Sequence, residues 1–254
     1  MRVLVCVKRV PAPGARIAIA ADGQSVDTAH LGFTTSPHEE CAAEEAVQLV
    51  DQHGGESTVL TVGPPEAEEQ LRYSISIGVD KGVLVETDGS DWDPIRTAAV
   101  ITTAIEQLES RDGPFDLILF GNESADSGGY QVGIRVAHAL DRPMVNGIKG
   151  IDIDGDRASL RRAVDVGFEV HDVALPAVAG VKEGINLPRY PTLKGRLASN
   201  KAEIERVAAS AETGGPALVR LMEPPTQGSE TELLGNGADA VPRVVDVLQE
   251  LGVV

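Results

Sequence analysis

Phe115-Asp116-Leu117-Ile118-Leu119-Phe120 runs directly into Gly121-Asn122-Glu123-Ser124-Ala125-Asp126-Ser127-Gly128-Gly129-Tyr130-Gln131-Val132-Gly133, and an amphipathic segment follows to about residue 139. The apolar run has the length and flanks of a buried strand, the glycine-rich stretch is a turn, and the amphipathic segment is a helix that opens inside it. Small residues let a backbone approach a ligand closely, and the unpaired amides at a helix start attract anions. That arrangement suits the phosphate of a nucleotide. It is neither a GxGxxG dinucleotide fingerprint nor a Walker loop, so an ordinary glycine-rich turn is the competing reading of this segment alone.

The same rhythm repeats on the N-terminal side. Residues 2–7 read as a buried strand, and Pro11-Ala12-Pro13-Gly14 breaks regularity. Residues 15–20 with Asp22-Gly23 suggest a short hairpin. A helix follows over 37–52, with Ser36 as N-cap, Pro37 in its first turn and glutamates near its positive end. Strand 57–62, helix 65–75, strand 81–86 and a helix from Asp93-Pro94 to about 109 complete an alternation that predicts a doubly wound parallel α/β sheet. Ligands of such sheets sit at the carboxyl ends of the strands. Beyond Pro143 the pattern changes. Gly150-Ile151-Asp152-Ile153-Asp154-Gly155-Asp156 is a hairpin signal, and 158–164, 167–174 and 177–181 read as antiparallel strands. Residues 208–240 look extended, and 241–251 form an amphipathic terminal helix whose apolar face needs a docking surface.

Composition narrows the function classes. At 254 residues the chain can bury a full core, and with aromatics at only 3% that core must be built from Val, Leu, Ile and Ala. The net charge of −17 argues against nucleic acid or an anionic membrane as partner. No apolar run is long enough to cross a bilayer, and the start does not read as a signal peptide, so a cytoplasmic location is expected. Cys6 and Cys41 have no metal-ligand spacing, and Cys6 reads as a small buried hydrophobe. Asp152, Asp154 and Asp156 lack the glutamate that would complete a calcium loop, so a solvated hairpin tip is the better reading. No nucleophile–base pair and no metal cluster stands out, so neither a catalytic nor a metal-ligating set is assigned.

A second stretch, Lys182-Glu183-Gly184-Ile185-Asn186-Leu187-Pro188-Arg189-Tyr190-Pro191-Thr192-Leu193-Lys194, changes the weight of the first. The two together resemble the beta subunit of electron transfer flavoprotein. Val3-Leu4-Val5-Cys6-Val7-Lys8-Arg9-Val10-Pro11 is similar to that family's first strand and loop, and Ser36-Pro37-His38-Glu39-Glu40-Cys41-Ala42-Ala43-Glu44-Glu45-Ala46-Val47 to its first helix start. Gly63-Pro64, Leu71-Arg72, Ile77-Gly78-Val79-Asp80-Lys81 and Leu175-Pro176-Ala177-Val178 follow in the family's order. The likeness covers most of residues 1–206.

The resemblance implies an adenine nucleotide alpha-hydrolase-like domain over 1–206, with a partner-recognition loop at 184–195, and an extended arm over 207–254 whose helix docks on an alpha subunit. It implies an electron carrier that accepts electrons from flavoprotein dehydrogenases through an FAD held mainly by the alpha subunit, with AMP, or a second FAD in bifurcating members, in the beta subunit. The phosphate then lies on the loop with Asp126, Gly128, Gly129, Tyr130, Gln131, Val132 and Gly133, and the adenine side falls near Cys6, Val7, Lys8, Ser36, Val62 and Gly63. Tyr130 and Val132 replace the Asn and Thr of many AMP-holding members, which shifts phosphate binding toward backbone amides. The Gln131-Val132-Gly133 run also occurs in bifurcating members, whereas Gly121-Asn122-Glu123-Ser124-Ala125-Asp126 is closer to members that hold AMP.

His38 takes the place of an aromatic that approaches the flavin, and a solvent-facing histidine is the competing reading. Asn186, Pro188, Arg189, Tyr190 and Leu193 match the recognition loop, with Leu193 as a lone exposed anchor. An inward-folded Leu193 is the competing reading there. Arg162 and Asp165 match a charged stretch of the family, but Ala163 replaces its usual glutamate. A stand-alone adenine-nucleotide binder of the universal-stress or nucleotide-hydrolase type shares the sheet and is the alternative. The 186–193 loop and the C-terminal arm speak against it.

Overall fold

The computed structural model describes residues 1–90, 92–209, 215–225 and 231–253. The chain divides into two compact units, Met1–Leu221 and Met222–Val254. In chain order the first unit contains β1 (Arg2–Val7), β2 (Val10–Pro11), β3 (Phe33–Thr34), α1 (Pro37–His53), β4 (Glu56–Gly63), α2 (Glu68–Ile77), β5 (Lys81–Glu86), α3 (Pro94–Asp112) and β6 (Leu117–Gly121). After these come α4 (Val132–Ala139), β7 (Met144–Asp154), β8 (Arg157–Val164), β9 (Gly167–Ala174), β10 (Ala177–Val181), α5 (Leu193–Ser199) and β11 (Ile204–Ala208).

Among the described residues nine strands form one sheet, in the order β11-β5-β4-β1-β6-β10-β7-β8-β9. The pairs from β11 to β7 are parallel. The β7-β8-β9 meander is antiparallel. From β1 the chain winds outward through β4 to β5, then returns to lay β6 on the other side of β1. The carboxyl ends of β1 and β6 therefore flank the point where the winding reverses, which is where open α/β sheets bind ligands.

The alternation of β1 explains the two layers. Val3, Val5 and Val7 face the cluster that includes Cys41, Ala42, Ala46 and Leu49 of α1 and Leu71 of α2. Leu4 and Cys6 face the opposite cluster with Ala98, Ile101 and Ile105 of α3 and Val136 of α4. Both faces are covered, so the central strands read as unbroken aliphatic runs rather than as alternating ones. The core is mainly aliphatic, as the scarcity of aromatics requires, with Phe115 and Phe120 buried in the second cluster.

Two expectations about this unit are corrected. The 177–181 segment is not antiparallel: β10 inserts between β6 and β7, parallel to both. Its composition carries the reason, since Ala177, Val178, Ala179, Gly180 and Val181 are all buried and apolar, as a strand covered on both faces must be. The hairpin expected over 15–20 is reduced to one bridge, Ile19 with Val26, and regular antiparallel pairing falls instead between β2 and β3.

The second unit holds a 3-10 turn and helix α6 (Val241–Glu250), with no residue of that helix buried. The extended reading of 208–240 falls partly on 210–214 and 226–230, outside the described residues. Among the described residues no helix is long and apolar enough to cross a membrane.

Candidate functional site

The end of β6 meets the start of α1 at very close range. A Cβ on Gly121 would stand 2.6 Å from Glu39 Cγ and 3.2 Å from the Glu39 amide nitrogen, so glycine is required where the glycine-rich loop leaves the sheet. The loop then folds over α1. Ser36 Oγ accepts from the Ala125 amide at 2.9 Å, and Lys8, just past β1, pairs with the Asp126 carboxylate. Burial pushes the Asp126 carboxyl up, but the hydrogen bond and charge of Lys8 outweigh it and leave the group below its ordinary value.

Ser36, Pro37, His38 and residues 123–128 line an open cavity of about 390 Å³ at this point. It holds Ser36, His38, Asp126 and Gly128 of the expected cofactor residues. Cys6, Val7, Lys8, Val62 and Gly63 lie at the neighbouring carboxyl ends of β1 and β4, along the same edge of the sheet. Cys6 is buried, and burial raises its thiol far above the ordinary range, so it is a packed hydrophobe rather than a nucleophile.

Gly129, Tyr130, Gln131, Val132 and Gly133 form the rim beyond the cavity and lead into α4. The first helical bond there is from the Arg135 amide to the Gln131 carbonyl, which leaves the amides of Val132, Gly133 and Ile134 without intrahelical acceptors. They form a ready anion site.

The turn that presents these amides uses the left-handed region twice, at Gly128 (φ 53°) and at Tyr130 (φ 54°). Gly129 has no such requirement, and a Cβ there would meet nothing within 4 Å, so the conformational demand falls on Gly128 instead. A tyrosine in this region costs on the order of 1–2 kcal/mol that an asparagine largely avoids.

Two further acids stand here, Glu123 in the cavity lining and Glu39 beneath the exit of the loop from β6. Glu39 is 6% exposed, and its carboxylate accepts from the Ser36 amide at 3.0 Å. Burial raises its pKa to about 7, against the pull of the Ser36 and Lys8 amides. Glu123 lies across the loop, with Oε2 3.6 Å from where a Cβ on Gly128 would be and Oε1 3.4 Å from His38 Nε2. It also faces the Tyr130 hydroxyl, raising that phenol. The Ser36-x-x-Glu39 spacing is the signal of a capping box and could have found Glu39, whereas no residue type or spacing marks Glu123.

His38 is not solvent-facing. Its side chain is 16% exposed, and Nδ1 accepts from the Glu183 amide at 2.7 Å. The expected partner-binding residues divide into two groups. Asn186 and Arg189 turn inward: Asn186 Nδ2 donates to the Cys41 carbonyl at 3.0 Å and to Glu45 at 2.8 Å, and Arg189 grips Glu44 through Nε at 2.8 Å and Nη2 at 2.9 Å. Burial works to raise Glu44, but Arg189 and Gln48 together hold its carboxyl below the ordinary value.

Pro188 is half-buried, while Tyr190 and Leu193 point outward. Leu193 is 77% exposed, so it does not fold inward, and it is not alone, because Leu187, Tyr190 and Leu197 are exposed around it. Nor does it sit in a loop: it opens α5, capped by Thr192 Oγ1, which accepts from the Gly195 amide at 3.0 Å. Arg162 pairs across the β8-β9 hairpin with Glu169. Among the described residues no group of His, Cys, Asp and Glu is placed to hold a metal ion.

Residues 25–212 match the family described as "Electron transfer flavoprotein domain". A relative from Syntrophomonas wolfei, "Electron transfer flavoprotein subunit beta", is 34% identical over 230 residues, covering 90% of this chain and 88% of its own. One of the same name from Bacillus subtilis is 32% identical, covering 98% of each chain. "Acryloyl-CoA reductase electron transfer subunit gamma" from Anaerotignum propionicum is 30% identical, with both chains covered in full.

Proposed function

The chain belongs to the electron transfer flavoprotein family, among its beta subunits, and from that premise we propose that it is the nucleotide-holding half of a heterodimeric electron carrier. The observation that carries the proposal is the crevice between β1 and β6, where an anion-binding helix start stands beside a cavity lined by hydrogen-bond acceptors. The donor set fits an adenine nucleotide. The free amides of Val132, Gly133 and Ile134 suit a phosphate, the carboxylates of Glu123 and Asp126 suit ribose hydroxyls, and the backbone edge of Cys6, Val7 and Lys8 with Val62 and Gly63 suits the adenine ring.

The ligand we propose here is AMP. A cavity of about 390 Å³ lies at the lower end of the range for small-molecule sites, which fits a mononucleotide better than a dinucleotide. AMP would be structural, joining the ends of β1, β4 and β6 through one ligand. FAD, held mainly by an alpha subunit, supplies the redox chemistry. This chain's residues bind, orient and recognise: the 122–133 loop holds the nucleotide, and the outward-facing Leu187, Tyr190 and Leu193 meet flavoprotein dehydrogenases. Helix α6 has apolar residues at Val241, Val244, Val245 and Leu248, spaced as one stripe, and serves as the docking element for the alpha subunit.

Co-expression with the candidate alpha subunit, purification and release of ligands under denaturing conditions test this reading. One FAD and one AMP per heterodimer are expected. Two FAD and no AMP would replace the AMP assignment by a second flavin, a reading to which the Gln131-Val132-Gly133 run and the acryloyl-CoA reductase relative lend weight. Failure to form a complex would overturn the heterodimer and leave the nucleotide site to be tested on this chain alone.

A further inference from the structure

Helix α1 touches two segments that are far apart in sequence. At its start Ser36 Oγ holds the Ala125 amide of the nucleotide loop at 2.9 Å. Farther along, the Cys41 carbonyl and Glu45 hold Asn186, and Glu44 holds Arg189, at the base of the recognition segment. His38, Cys41 and Glu45 are spaced i, i+3 and i+7, so they form one stripe, and the 183–189 chain lies along it. His38 stands where the two segments meet. Its Nδ1 accepts from the Glu183 amide at 2.7 Å, and its Nε2 lies 3.4 Å from Glu123 Oε1.

The bond from Glu183 fixes the tautomer. An acceptor at Nδ1 leaves the ring proton on Nε2, the nitrogen that lies 3.4 Å from the Glu123 carboxylate. That carboxylate stands 3.6 Å from where a Cβ on Gly128 would be, beside the left-handed turn that presents the α4 amides. Tyr130, the second left-handed residue, also borders Glu123. A ligand that reorders the 128–133 turn therefore moves Glu123, and Glu123 is in contact with a ring whose far side holds the recognition segment.

We propose that His38 is a positioning residue that couples occupancy of the nucleotide loop, through Glu123, to the placement of the partner-recognition segment, through the Glu183 amide. The inference rests on the proposed nucleotide site. The coupling needs no movement of α1 itself, only of the two loops bracketed by one imidazole. An aromatic hydrocarbon ring at this position packs but offers neither the acceptor for the Glu183 amide nor a polar nitrogen beside Glu123, so the coupling is a property of the histidine.

The two nitrogens can be separated by substitution. His38→Asn places an amide oxygen near the Nδ1 position and loses the reach to Glu123, whereas His38→Gln reaches Glu123 and leaves the Glu183 amide without its acceptor. The experiment is hydrogen exchange, read by mass spectrometry, on the full chain stripped of nucleotide and then saturated with AMP, or with FAD where AMP does not bind. In the wild type, nucleotide is expected to slow exchange over 182–190 by about fivefold or more, the lower end of measured site-to-site coupling. In His38→Asn the segment should stay slow but ignore nucleotide, and in His38→Gln it should exchange fast with or without it.

Exchange in β1 and β6 reports whether each variant is folded, and Glu123→Ala, which removes the oxygen beside Nε2, cuts the same relay from the other side should a His38 variant not fold. An undiminished response in the His38 and Glu123 variants would overturn the coupling. So would a wild type that binds nucleotide with no change over 182–190, a result that leaves the nucleotide site itself standing. Binding of neither AMP nor FAD would bring down both.

Discussion

Glu39 is a carboxyl group caught between a helix cap and the end of a sheet. Its hydrogen bonds from the Ser36 and Lys8 amides favour the charged form, and its burial favours the neutral one. Burial wins, raising the pKa from 4.5 to about 7. The sign of the consequence follows. The folded state holds the proton more tightly than the unfolded chain, so the destabilisation is absent below about pH 4.5 and grows as pH rises through 7. Glu39→Gln should flatten that slope and raise stability at pH 8 by at most about 3 kcal/mol, the value of the shift at 1.36 kcal/mol per unit. Urea unfolding at pH 5, 6, 7 and 8 measures it, and an unchanged slope would remove Glu39 as the source. Glu44 acts in the opposite sense, because its lowered carboxyl stabilises the fold above the ordinary carboxylate range and loses that contribution on acidification. The sequence places Glu39 in the first turn of α1, three residues after Ser36, and Glu44 in the body of the same helix. Their individual environments depend on Lys8 and Arg189, which lie on other elements.

At the scale of elements, the 183–194 segment, proposed above to recognise a partner, shows how an irregular stretch is made into a platform. Asn186 and Arg189 spend their polar groups inward on α1, and Thr192 caps α5, so Leu187, Tyr190 and Leu193 are left presenting apolar surface to solvent. A few apolar side chains on a held backbone are the pattern of an interface hot spot, where one truncation costs on the order of 1–2 kcal/mol of association. Leu193→Ala should therefore slow electron acceptance from the partner dehydrogenase about tenfold while heterodimer and flavin content stay unchanged. Steady-state reduction as a function of carrier concentration checks it, and wild-type kinetics would exclude Leu193 as the anchor. The outward group was legible as a motif, but the inward clamp was not, because Glu44 and Glu45 read as a plain acidic helix face until the 186–189 chain is laid on them. Strand β10 carries a similar lesson. Its neighbours in sequence are antiparallel hairpin strands, yet its buried Ala, Val and Gly residues belong to the parallel centre.

At the scale of the whole molecule, among the described residues every buried hydrophobic side chain lies between Val3 and Val181, and α6 contributes none. The C-terminal unit thus adds no side chain to the core, and its apolar stripe is the surface proposed above to meet a partner. Deletion of residues 222–254 should leave the thermal transition within a few degrees of the full chain, since a change of about 1 kcal/mol moves Tm by roughly 2–4 °C at this size. The same deletion should abolish co-purification with the alpha subunit. Retained heterodimer in the truncated chain would place the docking surface elsewhere.

The sequence by itself determined the doubly wound sheet, the glycine-rich turn at the end of β6, the helix start at Ser36 and the family resemblance. All of these follow from local rules of periodicity, capping and turn chemistry, or from motifs contiguous in the chain. Only the tertiary structure decided that β10 runs parallel in the sheet centre, that the left-handed demand falls on Gly128 and Tyr130, that Glu39 is buried, and that His38 joins two loops. Each of these depends on segments separated by tens of residues or more being brought within a few ångströms. Burial, strain and hydrogen bonding of that kind are properties of the packed arrangement, and no window of sequence contains them.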